Sequence, residues 1–471
     1  MRLVPLLLLL GACASPAELE DESRARVDQR LESAGFSEAG SPLEEAQVRE
    51  LIANGLDEDD AVRLALGHQR RTRAALAKLG IGSGELAAAT LLSNPVLHGQ
   101  LLFLDGGTEV DLGISQSLVR TLLMPSQKAR SAAELRALEA AVASEILSAV
   151  LDARRAHVRA SHAWRDLELR RASEAGALGS QELMQDLVQA GNATPARAAA
   201  NAVELARRSQ DRMESERRWI EAREELNRAC GLAGELAQWD LRPEALVRSL
   251  GGRIVDPGLL EGLDLSQLES RTLTASLALA ESRARAEAQA RAAGLSEWAA
   301  RLQDAELGLA AKRESDDSSW GLGPAFRIPL PLLDTGDAQT HAARARLQVL
   351  LEEHEALLVE LLSRTRESSE RLQASVALER HAREVLLPAE RTLLEETLRN
   401  FNAMQIGAFD VLRVRAGEIE AERTHLSAYT DARLARLEVE ALLQGHLTRP
   451  STLNAGSPTR PSLNNSHPQG H

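Results

Sequence analysis

Between Ala305 and Pro331 the chain changes its period. In AELGLAAKRESDDSSWGLGPAFRIPLP, Leu307, Leu309 and Ala311 alternate with Glu306, Gly308, Ala310 and Lys312. Beyond an acidic, polar turn, Leu322, Phe326 and Ile328 share one parity against Gly321, Gly323, Ala325 and Arg327. A period of two on both sides of a turn predicts a β-hairpin with one apolar face. An isolated hairpin is marginal in water, so this one requires further strands. A second candidate is Pro95 to Val119, PVLHGQLLFLDGGTEVDLGISQSLV. There Val110, Leu112, Ile114 and Leu118 alternate with polar and glycine positions, and Asp105-Gly106-Gly107 supplies the turn. Four strands in a mostly helical chain cannot close a barrel by themselves. They provide a third of one if three chains assemble, since apolar-out and polar-in is what a membrane barrel requires. A four-stranded soluble sheet with helices on one face satisfies the same alternation, so both readings stand at this point.

Everything around the hairpins reads as helix or linker. Residues 14–56 are acidic and weakly periodic and read as a tether. Asp57 to Asp60 opens a helix that runs to about Leu92, where Ser93-Asn94-Pro95 stops it. From Ser126 about sixty residues are helical, roughly 90–100 Å, carrying the stripe Leu135, Leu138, Val142 and Ile146. Gly176 and Gly179 mark a weak point. Gly191 suits a left-handed cap, Thr194 an N-cap and Pro195 the first residue of a returning helix, giving a helical hairpin with a tight tip. Residues 235–264 are Pro- and Gly-bearing and connect to a second cycle. That cycle has a helix from Leu265, the 305–331 hairpin, a long helix interrupted by Pro388, a tip at Ile406-Gly407 and a final helix from about Phe409 to Leu447. Residues 448–471 read as a disordered tail.

The chain is therefore two copies of one plan, 57–234 and 265–447, each helix, β-hairpin, long helix, tip, helix. Gly191 and Gly407, 216 positions apart, are the matching tip glycines in this reading. Such duplication places the copies side by side.

Composition narrows the function. A net charge of -14 without a basic patch, and 2% aromatic residues, argue against nucleic acid. No stretch reaches the length of a membrane-spanning helix, so any spanning part must be β. Residues 1–13 form a processing signal: one arginine precedes a short apolar run. Leu10-Gly11-Ala12-Cys13 resembles the lipobox of bacterial lipoproteins, in which the cysteine is acylated (palmitate among its chains). By the same resemblance, Ala14 favours delivery to the outer membrane. Cys230, the other cysteine, falls in an apolar helical pattern and reads as a core thiol. The eleven histidines show no ligand spacing and predict no metal site. Met184 and Met404 near the tips read as packing. No nucleophile, acid–base or phosphate-loop constellation is visible, so neither an enzyme nor a cofactor is expected.

Several segments together resemble the outer-membrane efflux protein (TolC) family. They are AVRLALGHQRRTRAALAKLGIGSGELAAATLLSNPVL in the first copy, and FRIPLPLLDTGDA, VLLPAERTLLEETLRNFNAMQIGAFDVL and the closing helix to ALLQG in the second. The resemblance covers about residues 57–447. It implies a homotrimer in which each chain gives four strands to a twelve-stranded transmembrane β-barrel, continued by an α-barrel tunnel of long antiparallel helical hairpins. It implies passive export, with substrate delivered by an inner-membrane pump through a periplasmic adaptor. It places an acidic periplasmic entrance at Asp410, although Arg413 stands where many members carry a second acid. It makes Gly191, Asn192, Thr194, Gly407 and Phe409 the adaptor-docking tips. The FNAMQIGAFDVL wording resembles a subgroup associated with metal efflux. A periplasmic lipoprotein scaffold or adaptor without a pore is the alternative. Phe103, Trp320 and Phe326 are the hairpin aromatics, few for the two aromatic girdles of an outer-membrane barrel, which predicts thin girdles or a short barrel.

Overall fold

The computed structural model describes residues 15–36, 42–53, 55–104, 107–239, 241, 265–302, 305–313, 320–328 and 336–447. The chain begins with helices where a tether was expected. α1 (Pro16–Ser33) opens on a capping box in which the Ser15 hydroxyl accepts from the Glu18 N–H and the Glu18 carboxylate accepts from the Ser15 N–H. α1 buries Ser23, Val27 and Leu31. The Arg26 guanidinium donates to Glu139, whose side chain is buried in the middle of the fold, at 2.8 and 3.0 Å. α2 (Glu45–Ala53) buries Val48 and Ile52. This segment was read as a tether because its apolar stripe is only two or three residues wide.

Asp57 caps α3 (Glu58–Gly67), reciprocally with Asp60. The expected continuous helix to Leu92 is broken at His68-Gln69, and α4 (Arg70–Thr90) follows. Then come β1 (Val96–Leu104) and β2 (Gly107–Ser117). α5 (Leu118–Gln189) starts earlier than expected, includes Pro125, and runs 72 residues without a break at Gly176 or Gly179, about 110 Å long. After the tip, α6 (Pro195–Cys230) returns and ends on Gly231 in the left-handed region, φ 74°. Trp239 then turns back into the core, where its indole N–H donates to Asn227 at 2.6 Å and its ring meets Trp219 edge-on.

The second copy is α7 (Leu265–Ala275), α8 (Leu277–Leu302), β3 (Glu306–Arg313), β4 (Gly321–Arg327), α9 (Asp337–His381), α10 (Leu387–Asn402) and α11 (Ala408–Leu443). Its weak point is real. A π-turn, Ala382–Leu386, separates α9 from α10, and Pro388 sits in the first turn of α10. A proline lacks the donor and crowds the preceding turn, and the wider turn accommodates both effects.

The repeat offset is 213 residues. α6 and α11 are each 36 residues long and begin at 195 and 408. The tip hydrogen bonds repeat at that spacing. Asn192 N–H to Leu187 C=O matches Gln405 N–H to Asn400 C=O, and Gly191 N–H to Val188 C=O matches Met404 N–H to Phe401 C=O. The partner of Gly191 (φ 76°) is thus Met404 (φ 59°), not Gly407, which is extended at φ -89° and caps α11 as Thr194 precedes α6.

The core is a file of small clusters along the helices. Ala153, Ala156, Ala160 and Ala163 on α5, at helical spacing, lie in a buried cluster with Leu64 and Leu226. Small side chains allow that close approach of helix axes. Two partly buried ion clusters tie the copies together. Glu58 on α3 receives Arg154 of α5 at 2.6 Å and Arg433 of α11 at 2.7 Å. Asp166 on α5 holds Arg423 of α11 at 2.7 Å and the Ser215 hydroxyl of α6 at 2.8 Å.

Candidate functional site: a two-faced sheet and two helical tips

The four strands form one antiparallel sheet in the order β1-β2-β3-β4, so the two hairpins join through β2 and β3. The register puts Leu97, Leu101 and Phe103 of β1 on the same face as Val110, Leu112 and Ile114 of β2. Leu307 and Leu309 of β3 and Leu322 and Phe326 of β4 continue that face. The opposite face carries His98, Gln100, Glu109, Asp111, Ser115, Glu306, Lys312 and Arg327 among glycines and alanines, with Val96 and Leu102 of β1 as larger apolar members.

Exposure runs opposite to that of a soluble sheet. Phe103 is 82% exposed, Leu97 77%, Leu322 75% and Phe326 74%, whereas Gly113 and Ser115 on the polar face are buried. Leaving about ten large apolar side chains in water would forfeit on the order of 10–30 kcal/mol. Lipid removes that cost. The bland reading of a sheet covered by helices on its apolar face does not describe this arrangement.

The polar face is internally paired. Lys312 meets Glu109 at 2.7 Å, Arg327 approaches Glu306 at 3.7 Å, and the Ser115 hydroxyl donates to Glu306 at 3.1 Å. The register sets Phe103 at the hairpin-tip end of β1, and Trp320 precedes β4 at the same end, while Phe326 lies at the helix end. Each end of the apolar band therefore has an aromatic, which makes two thin girdles. The band from Leu97 to Phe103 spans about 20 Å along the strand. β1 and β4 leave their outer edges unpaired within one chain, the kind of edge that templates another strand.

At the other end of the long helices lie the tips. Gly191 takes the left-handed conformation at the first, with Asn192 exposed beside it. Thr194 precedes α6 with extended backbone, but its side chain makes no capping bond. The Asn201 amide donates to the Ser180 carbonyl and hydroxyl at 3.2 and 3.0 Å, which fastens the two legs together. At the second tip Met404 projects into solvent, 94% exposed. Gly407 caps α11, Phe409 is half-buried, and Arg413 donates to Asp410 at 2.8 Å on the exposed helix start. Met404 escaped sequence reading because its left-handed backbone is unmarked by glycine. Aligning AGNATP with AMQIGA at the 213 offset reveals it. Met184 is buried. Cys13 lies outside the described residues.

No family model matches the chain, and no curated protein matches it. Solved structures do match over most of its length. The outer-membrane protein VceC of Vibrio cholerae superposes with a TM-score of 0.62 at 16% identity, covering 85% of this chain and 97% of that one. The CmeC outer-membrane channel of Campylobacter jejuni gives 0.64 at 12% identity, covering 87% and 90%. The chain has the fold of the outer-membrane channels. The MtrE outer-membrane channel of Neisseria gonorrhoeae, in its open state, gives 0.61 at 15% identity, covering 87% and 94%.

Proposed function

We propose that this chain is the outer-membrane channel component of a tripartite efflux or secretion system. Three copies close their sheets, β4 of one on β1 of the next, into a twelve-stranded barrel, and the helical hairpins form a tunnel into the periplasm. Transport is passive. An inner-membrane pump and a periplasmic adaptor deliver the substrate, and Cys13 supplies a lipid anchor. The observation that carries this reading is the exposed apolar face of the sheet, set against a mainly polar face, with both outer edges open among the described residues. Structural neighbours described as outer-membrane channels support it. The pore-free scaffold alternative has no use for an exposed apolar face.

The tips at Gly191, Asn192, Thr194, Gly407 and Phe409 are the adaptor-docking edge in this proposal. Asp410 and Arg413 flank the periplasmic entrance, and their pairing at i and i+3 withdraws the acid from ions passing there. The test is to purify the protein in detergent and add it to planar bilayers. A conducting trimer is expected, with Arg413→Ala increasing cation preference. A water-soluble monomer without conductance refutes the channel, and an Arg413→Ala channel with unchanged selectivity refutes the entrance role.

A further inference from the structure

The polar face of the sheet is layered. Gln100, Asp111 and Lys312 align in one lateral row, and the next row toward the helices aligns His98 with Gly113, Gly113 with Ala310 and Ala310 with Gly323. His98 is the only side chain in that row larger than a methyl group. Its imidazole lies over Gly113, where a Cβ would fall 2.2 Å from Nε2. Glycine there is what lets the ring lie along the wall, and His98 is solvent-exposed in the chain.

We propose that His98 sets the ion selectivity of the barrel and makes it pH-dependent. This rests on the channel reading, in which three copies of the row form one ring of three imidazoles around the lumen. The charged groups on the same face are Glu109 and Asp111 of β2, Glu306 and Lys312 of β3, and Arg327 of β4. Across the seam, the Arg327-bearing strand of the neighbouring copy lies beside β1. Among the described residues of that face, three carboxylates against two cations leave one net negative charge per chain when His98 is neutral. Imidazolium cancels it. Imidazole is the side chain whose ordinary pKa falls between pH 5 and 8. A neutral ring leaves the lumen favouring cations, and a protonated ring removes that preference. Three unit charges about 10 Å from the axis, at about 0.1 M salt, change the cation-to-anion permeability ratio about fourfold.

The test is the reversal potential of the purified trimer in planar bilayers under a salt gradient, at pH 8 and pH 5. The expected result is a fall of about fourfold in cation preference for the parent and no pH dependence for His98→Gln. An equal shift in His98→Gln assigns it to the carboxylates and overturns the proposal while leaving the channel intact. An absence of conductance overturns both. A second readout guards against a misfolded variant. His98→Cys, conducting normally, should lose conductance on treatment with a bulky, charged, membrane-impermeant thiol reagent, and conductance that stays unchanged also overturns the proposal. Cys230 is buried and gives no background.

Discussion

Leu112 sits at the centre of β2, with Gly99 opposite it on β1 and Ala311 opposite it on β3. Its side chain is 44% exposed on the apolar face. In a soluble sheet, Leu112→Arg would be a surface substitution within about 0.5 kcal/mol of neutral. In a lipid-facing barrel an arginine near the midplane costs about 2–4 kcal/mol per copy. A trimer carries three, so the folded, inserted assembly loses about 6–12 kcal/mol by the same scale. Part of that penalty is relieved if the arginine reaches an interface, but Leu112 lies mid-strand, far from either end. The assay is urea titration of protein folded into lipid vesicles, followed by resistance of the trimer to denaturing gel sample buffer. Leu112→Arg should shift the midpoint strongly to lower urea or abolish insertion, while Gln100→Arg on the polar face should leave insertion intact. Equal behaviour of Leu112→Arg and the parent would refute the assignment of the apolar face to lipid.

Other consequences follow from single positions. Met404 holds a left-handed backbone that costs a non-glycine residue about 1 kcal/mol, so Met404→Gly should raise stability by about that amount in chemical denaturation, and Gly191→Ala should lower it similarly. Burial pushes the Glu58 carboxyl up, but Arg433 and Arg154 more than offset this and hold it below the usual carboxylate range. Its stabilisation is therefore present above the unfolded pKa and lost as pH falls through the lower folded value. Glu58→Gln should flatten the acid limb of the stability–pH curve below about pH 4.5. Burial raises the Cys230 thiol to about 12, so alkylation at pH 8 should require unfolding, and rapid labelling of native protein would contradict the core assignment.

The parts legible in the sequence were those with strong local periodicity. The strands announced themselves because Leu307, Leu309 and Ala311, and Val110, Leu112 and Ile114, alternate cleanly with small or polar residues. The tips were legible through Gly191 and Pro195. What escaped was set by distant contacts. α1 reads as polar until Val27 and Leu31 are seen against α4 and α5, with Arg26 reaching Glu139 over a hundred residues away. The β2–β3 junction pairs strands almost two hundred residues apart, and no local signal specifies it. The repeat is legible but pairing its tip glycines misaligns it by three, because glycine marks the left-handed residue in the first copy and Met404 holds that place in the second. Gly67 and His68 gave no sign of a break, since the turn there is closed by His68 and Gln69 N–H groups sharing the Leu64 carbonyl.

Closure between copies is tested most directly by cross-linking across the seam. Single cysteines spread along β1 and along β4, combined pairwise in one chain, would be oxidised in the outer membrane and resolved on a denaturing gel. One register should yield covalent species of two and three chains and nothing larger, as a closed ring demands. A ladder running past three, or no cross-link at any register, would mean that these edges do not meet in a three-membered wall.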